Sequence, residues 1–289
     1  MALLSPKLIK QLLEKYGAAP LKRLGQNFLI NKGILEKIIE AAGLRKEDTI
    51  LEIGPGLGCL TQDLARQTKK VVAIEKDRKF VEILKETLKD CKNVEIINAD
   101  ILKLRNSEIP KLGDYKIIAN LPYYITSPVI RKFLEEKNKP EEMILMVQKE
   151  IAQRICACPP SLRSGASRRA KAPQMSLLAV SVQFFAEPKI MSYVSKGSFW
   201  PQPKVDSSIL KITIKKELPE IDPNLFFKIV RAGFSAPRKQ LVGNLTKGLN
   251  LNRQIISEVL RGAKINPQQR AETLNVQDWI RIAVFSDQK

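Results

Sequence analysis

Residues 50–58 read ILEIGPGLG, an apolar strand that closes on Glu52 and runs straight into Gly54, Gly56 and Gly58. Glycines at that point let the backbone turn sharply and approach a ligand, and the helix that follows directs unpaired N–H groups towards it. Two later strands end on the same plan: VVAIE closes on Glu75 and VEIINAD closes on Asp100. In an open α/β sheet the ligand crevice lies beyond the carboxyl ends of the strands. Three acidic or glycine-rich strand ends in succession therefore predict one nucleoside-sized pocket. A dinucleotide fold wants G-x-G-x-x-G to seat a pyrophosphate, and the tighter spacing here favours a small nucleoside cofactor over a dinucleotide. A purely structural strand turn is the bland alternative.

Outward from this stretch, strand and helix patterns alternate. ILEI is followed by a helix from about Leu60 to Thr68, then VVAIE, a helix from about Lys79 to Leu88, VEIINAD and KIIANL. That rhythm is the βαβ repeat of a doubly wound sheet. Before it, Ile34, Leu35, Ile38 and Ile39 recur at helical spacing from Gly33 to Ala42. Residues 17–33 are expected to form a linker and short basic segment in which Lys22 and Arg23 are candidates to touch a phosphate backbone and Gln26, Asn27 and Phe28 supply amides and an aromatic ring.

The chain has 289 residues, 44% of them hydrophobic, enough for a large domain and a smaller second one. No apolar run is long enough to cross a bilayer. In the N-terminal MALLSPKLIKQLLEKYG, Lys7, Lys10, Glu14 and Lys15 interrupt the apolar positions, and Ser5 before Pro6 reads as a helix cap with a first-turn proline. An amphipathic helix is expected there rather than a signal peptide, in a cytoplasmic protein. Lys and Arg number 49 against 30 Asp and Glu, a formal charge of +19. That excess draws polyanions, most strongly at low salt, although a basic solvated surface or an anionic-membrane binder has the same charge. There is no histidine, which excludes a histidine base, a Ser-His triad and His-containing zinc sites. The four cysteines, Cys59, Cys91, Cys156 and Cys158, lack zinc-finger spacing, and C-A-C is too short for a C-x-x-C redox loop. No metal is expected.

Glu75, at the end of a buried-looking strand, is placed to accept from two vicinal ribose hydroxyls; a solvated turn acid is the alternative. Asp100 is placed to accept from an adenine amino group beside the apolar Ile101, or to cap the next turn. The most specific stretch is IIANLPYY at 117–124. Pro122 restricts Leu121 to an extended conformation that holds its carbonyl outward. Asn120 offers a second carbonyl and Tyr123 a flat ring. Two acceptors and a stacking face are what the exocyclic amine of a flipped base requires.

The motifs GQNFL (25–29), LEIGPGLG (51–58), Glu75, Asp100, NLPYYITSP (120–128), MVQKE (146–150) and FWPQPKVDS (199–207) occur in this order. As a set they resemble the ribosomal RNA adenine dimethyltransferases that modify two adjacent adenosines near the 3′ end of small-subunit rRNA. The resemblance implies an α/β, Rossmann-like doubly wound methyltransferase sheet with a small C-terminal helical domain, and S-adenosyl-L-methionine as methyl donor. Carried over by position, it puts the methionine part near Gly54 and Gly56, the ribose on Glu75 and the adenine near Asp100 and Ile101. Gln26, Asn27 and Leu29 then order the cofactor side. Asn120 and the Leu121 carbonyl hold the target amine, with Tyr123 and Phe199 stacking on its ring. Trp200 is the competing aromatic; family position selects Phe199. The implied partner is small-subunit rRNA in a pre-ribosomal particle, met by a monomer without metal or membrane.

After MVQKEIAQR the chain departs from that family. CACPPSLRSGASRRAKAPQM is longer than the usual loop and lacks its tyrosine-glycine pair; between Glu150 and Glu187 there is no acid, while Arg154, Arg163, Arg168, Arg169 and Lys171 are present. Its Pro and Ser content reads as a loop, set against RNA backbone or solvent. LLAVSVQFFAEPKIMSYV then reads as a helix and strand that resume the sheet domain. A boundary is expected near KKELPEIDP, giving domains 1–216 and 217–289. Asp222 before Pro223, Asn266 before Pro267, and Asn275 before Asp278 mark helix starts, and Arg238 and Lys239 are the best phosphate contacts of the basic helical domain. The competing functions are a large-subunit rRNA methyltransferase of the macrolide-resistance type, usually NIPY; a DNA adenine methyltransferase, usually D/N-PPY; and a non-catalytic RNA-binding assembly or transcription factor.

Overall fold

Seven strands form the central sheet in the computed structural model, which describes residues 3–20, 25–105, 109, 112–159 and 174–287. The chain runs α1 (Pro6–Lys15), β1 (Phe28–Leu29), α2 (Lys32–Ala42), β2 (Thr49–Ile53), α3 (Cys59–Gln67), β3 (Lys70–Glu75), α4 (Arg78–Thr87), β4 (Val94–Asn98) and β5 (Lys116–Asn120). It continues with α5 (Thr126–Glu135), β6 (Glu142–Gln148), α6 (Lys149–Ile155), α7 (Leu177–Phe185), β7 (Ala186–Val194), β8 (Phe199–Trp200) and β9 (Ser207–Ile214). The last helices are α8 (Pro223–Gly233), α9 (Leu241–Leu249), α10 (Arg253–Gly262) and α11 (Val276–Asp287).

The strand order is β4-β3-β2-β5-β6-β9-β7. The first five strands are parallel, and β9 returns antiparallel to β6 with Gln148 opposite Ser207. From β2 the chain winds outward through β3 and β4, whereas β5 and β6 lie on the other side, so β2 and β5 flank the switch point where ligands bind in such sheets. Ile50, Leu51 and Ile53 of β2 are buried, as a strand covered on both faces requires. The apolar stripe of α2 packs against Leu60, Leu64, Ile118 and Met146, joining helix and sheet in one core. Ile9 and Leu13 of α1 pack on Leu57, Phe80 and Ile83. Ser5 takes the N-cap position with Pro6 in the first turn, but its side chain makes no capping hydrogen bond. Among the described residues no helix is long and apolar enough to cross a membrane.

The chain forms two compact units: Met1–Ala152 with Pro188–Ile214, and Gln153–Glu187 with Lys215–Lys289. The second is therefore discontinuous, where the sequence suggested the single run 217–289. Its reason is aromatic packing: Phe184 of α7 stacks on Phe226 of α8 at 4.2 Å, and Phe185 and Phe227 close the group. So α7, expected in the sheet domain, belongs with the C-terminal helices. Within that unit Asn275 and Asp278 exchange side-chain to backbone hydrogen bonds, both 2.8 Å, completing a reciprocal cap on α11. Asp222 caps α8 through the Asn224 N–H. Lys22, Arg23, Arg163, Arg168, Arg169 and Lys171 lie outside the described residues.

Candidate functional site

Beyond the carboxyl ends of β2, β3 and β5 lies a cavity of about 430 Å³. Every site residue singled out from sequence, from Gln26 to Phe199, lines it. The glycine loop forms its floor. Gly56 has φ +60, and a Cβ there would meet the Phe28 ring at 3.5 Å. Gly58 has φ +87 and is the N-cap of α3; a Cβ there would sit 3.1 Å from Leu84, Leu88 and Thr87. Both positions have a backbone conformation that disfavours side chains, and at Gly58 the neighbours are also tight for a Cβ.

Glu75 is buried at the end of β3, and its carboxylate accepts from the Asp77 N–H at 2.9 Å and the Gly56 N–H at 3.4 Å. Burial raises its pKa, and the backbone donors oppose that rise. It thus ties the glycine loop to β3 while facing the cavity. Asp100 pairs with the Lys76 ammonium at 2.9 Å and accepts from the Leu102 N–H at 3.0 Å. Burial acts to raise its pKa, but those partners hold it below the usual carboxylate range. The turn-capping role weighed from sequence is thus present in the geometry, at a residue that also lines the cavity. Ile101 beside it is buried.

On the opposite wall, Asn120 ends β5 and donates from Nδ2 to the Asn27 backbone carbonyl at 3.2 Å. Asn27 is itself folded back, its amide donating to the Gly25 carbonyl at 2.9 Å. A carbonyl partner accepts only from the amide nitrogen, so Asn120 Oδ1 is the acceptor left for another group. Leu121 is buried beside it. The Tyr123 hydroxyl shares a 2.7 Å hydrogen bond with Ser207 Oγ, which fixes the ring. Phe199 pairs with Leu29 across the short β1–β8 ladder and is buried, so its ring borders the cavity as part of the core. Trp200 pairs with Phe28 and carries the Lys10 ammonium over its ring at 5.7 Å. It does not line the cavity.

The lining residues given no role from sequence include Glu52, Cys59 and Lys76. Glu52 is 1% exposed, and its Oε2 has no hydrogen-bond partner among the described residues. Burial, opposed by the nearby Thr61 hydroxyl and reinforced by Glu75, pushes its pKa up to about 8. The Thr61 hydroxyl stops short of a full hydrogen bond. Cys59 opens α3, but burial pushes its thiol up to about 12, so it is a packing residue rather than a nucleophile. Lys76 follows Glu75 in sequence; only the fold shows that it meets Asp100.

A mostly parallel sheet with a glycine-turn cavity at its switch point, an acid at the next strand end and an Asn-Leu-Pro-Tyr wall defines a Rossmann-like methyltransferase. The model of the family described as ribosomal RNA adenine dimethylase matches residues 20–287, and the chain belongs to that family. It is 44% identical over 283 residues to the ribosomal RNA small subunit methyltransferase A of Dehalococcoides mccartyi strain CBDB1, covering 95% of this chain and 91% of that protein. The crystal structure of a dimethyladenosine transferase from Plasmodium falciparum superposes with a TM-score of 0.75 at 27% identity, covering 90% of this chain and 98% of that one. The 23S rRNA methyltransferase ErmE superposes with a TM-score of 0.71 at 25% identity, covering 90% and 100%.

Proposed function

We propose that this protein transfers methyl groups from S-adenosylmethionine to the N6 amines of two adjacent adenosines near the 3′ end of small-subunit rRNA. The observation that carries the reading is the Asn120 amide, turned by Asn27 so that an acceptor remains beside the Leu121 carbonyl. The cavity suits the cofactor: Glu75 offers a carboxylate for a ribose, Ile101 an apolar surface for a base, and the unpaired Glu52 Oε2 a buried acid near a cationic ligand. When bound, the cofactor supplies a methyl group already activated by its sulfonium.

The chain's own work is to hold the amine. Asn120 Oδ1 and the Leu121 carbonyl accept its two hydrogens, which favours a pyramidal nitrogen with its lone pair directed into the cofactor side. Tyr123, fixed by Ser207, and Phe199 clamp the ring. No side-chain base is needed at the amine, and its proton passes to water after transfer. A second methylation keeps one of the two hydrogen bonds. We further place the protein in the cytoplasm, acting as a monomer on a pre-ribosomal particle.

The sequence reads NLPY where large-subunit resistance enzymes usually read NIPY, and the 44% identical relative is named for the small subunit. Purified unmethylated small and large subunits are the test. Label transferred to the small subunit alone supports the assignment; label confined to the large subunit would move it to the ErmE-like activity.

A further inference from the structure

Tyr193 is 54% exposed and, unlike the 52% exposed Tyr124, lies outside the cavity lining. It lies near the end of β7, the edge strand of the sheet, with Lys149 Nζ 5.3 Å from its ring centre. Lys149 begins where β6 ends, at the carboxyl edge of the sheet that carries the cavity. Its backbone N–H donates to the Asp206 carbonyl at 3.0 Å, and the next residue, Ser207, holds the Tyr123 hydroxyl. Along the chain, Tyr193 is six residues from Phe199, no more than about 21 Å even if fully extended. Two independent routes thus tie the exposed Tyr193 and the half-buried Lys149 to the two rings of the target wall.

A solvated tyrosine and a solvated lysine are ordinary surface residues when scattered. Here the ammonium lies over the ring at the carboxyl edge of the sheet that carries the cavity, in a protein of charge +19. Aromatic rings beside cations are how proteins hold single-stranded nucleic acid: the ring stacks on a base and the ammonium meets the phosphate. Of the acids at this edge, Glu150 is exposed beside Lys149 and Asp206 has Oδ1 engaged by the Lys196 N–H at 3.1 Å, while the Lys196 and Lys204 side chains are exposed.

We infer that Tyr193 and Lys149 form a stacking platform for an unpaired nucleotide flanking the target adenosine, outside the methyl-transfer cavity. The inference rests on the reading of the cavity as an RNA adenine site. It makes Tyr193 a residue that places the RNA strand, with no part in the transfer itself.

The test uses full-length protein, unmethylated small subunits and, separately, a short RNA stem-loop carrying the two adenosines. Tyr193→Ala is expected to raise the KM for small subunits and weaken stem-loop binding about tenfold, with kcat and cofactor affinity unchanged. Tyr193→Phe retains the ring and should behave as wild type. Lys149→Ala should weaken binding and lower the slope of log affinity against log salt by about 1. If Tyr193→Ala, folded with an unchanged melting temperature, binds the stem-loop as tightly as wild type, the platform is wrong. Absence of methyl transfer by the wild-type protein would instead overturn the function proposed for the cavity, while the binding comparison would still decide the role of Tyr193.

Discussion

The Asn120 side chain and the Asn27 backbone meet at 3.2 Å, so the loop 25–29 sets which end of the Asn120 amide is left for a ligand. Asn120→Ala removes one acceptor for the target amine, and loss of a fixed transition-state hydrogen bond costs about 10²–10³ in rate. The expected outcome is a fall of that size in kcat with cofactor affinity changed less than tenfold. Asn120→Asp should be as damaging, because a carboxylate cannot donate to the Asn27 carbonyl. Single-turnover kinetics with equilibrium cofactor binding separates the two quantities, and unchanged kcat in Asn120→Ala would remove Asn120 from the chemistry.

Glu52 makes the protein sensitive to pH. Its pKa is raised from 4.5 to about 8 in the folded state, so the folded chain keeps a proton that the unfolded chain has lost over that window. Stability therefore falls as pH rises from 4.5 through about 8. Glu52→Gln should flatten this slope in denaturant titrations. A cationic ligand in the cavity favours the ionised form, so binding of S-adenosylmethionine at neutral pH should release protons. Calorimetry in buffers of different ionisation heat reads this directly; a buffer-independent heat would contradict it.

At the opposite end of the sheet, Lys116 is buried between Asp48 at 2.9 Å and Glu142 at 3.4 Å. Removing one partner of a buried pair leaves an uncompensated charge, typically costing about 3–5 kcal/mol. Lys116→Met should destabilise by that order, and adding Asp48→Asn should recover part of the loss. Equal destabilisation by the single and double variants would show that the charges are not coupled.

In the helical unit, a Cβ on Gly248 would lie 2.6 Å from Ala232 Cβ, so α8 and α9 approach through bare backbone. Helix propensity alone predicts that Gly248→Ala gains about 1 kcal/mol. Overpacking costs about 1–3 kcal/mol, and a clash against a Cβ and backbone has no flexible side chain to absorb it. Net destabilisation is expected in thermal melts. A higher melting temperature would show slack between the helices.

Much of the site was legible because its residues sit at strand ends, where local pattern and position coincide. Glu75, Asp100 and Asn120 each close a predicted strand and Gly54 follows one, and strand order then brings them to one crevice. What depends on distant partners was not legible. LLAVSVQFF is apolar on every side, so periodicity could not tell that α7 packs on Phe226 and Phe227. The Lys76–Asp100 pair spans two strands. Glu52 was visible as an acid, but its raised pKa follows from burial that only the fold reveals.

The most direct measurement is mass spectrometry of small-subunit rRNA fragments after incubation of unmethylated subunits with the protein and S-adenosylmethionine. The expected result is two methyl groups on each of two adjacent adenosines near the 3′ end, absent with Asn120→Ala. Unmodified small-subunit rRNA, with cofactor bound and the protein folded, would contradict the proposed function.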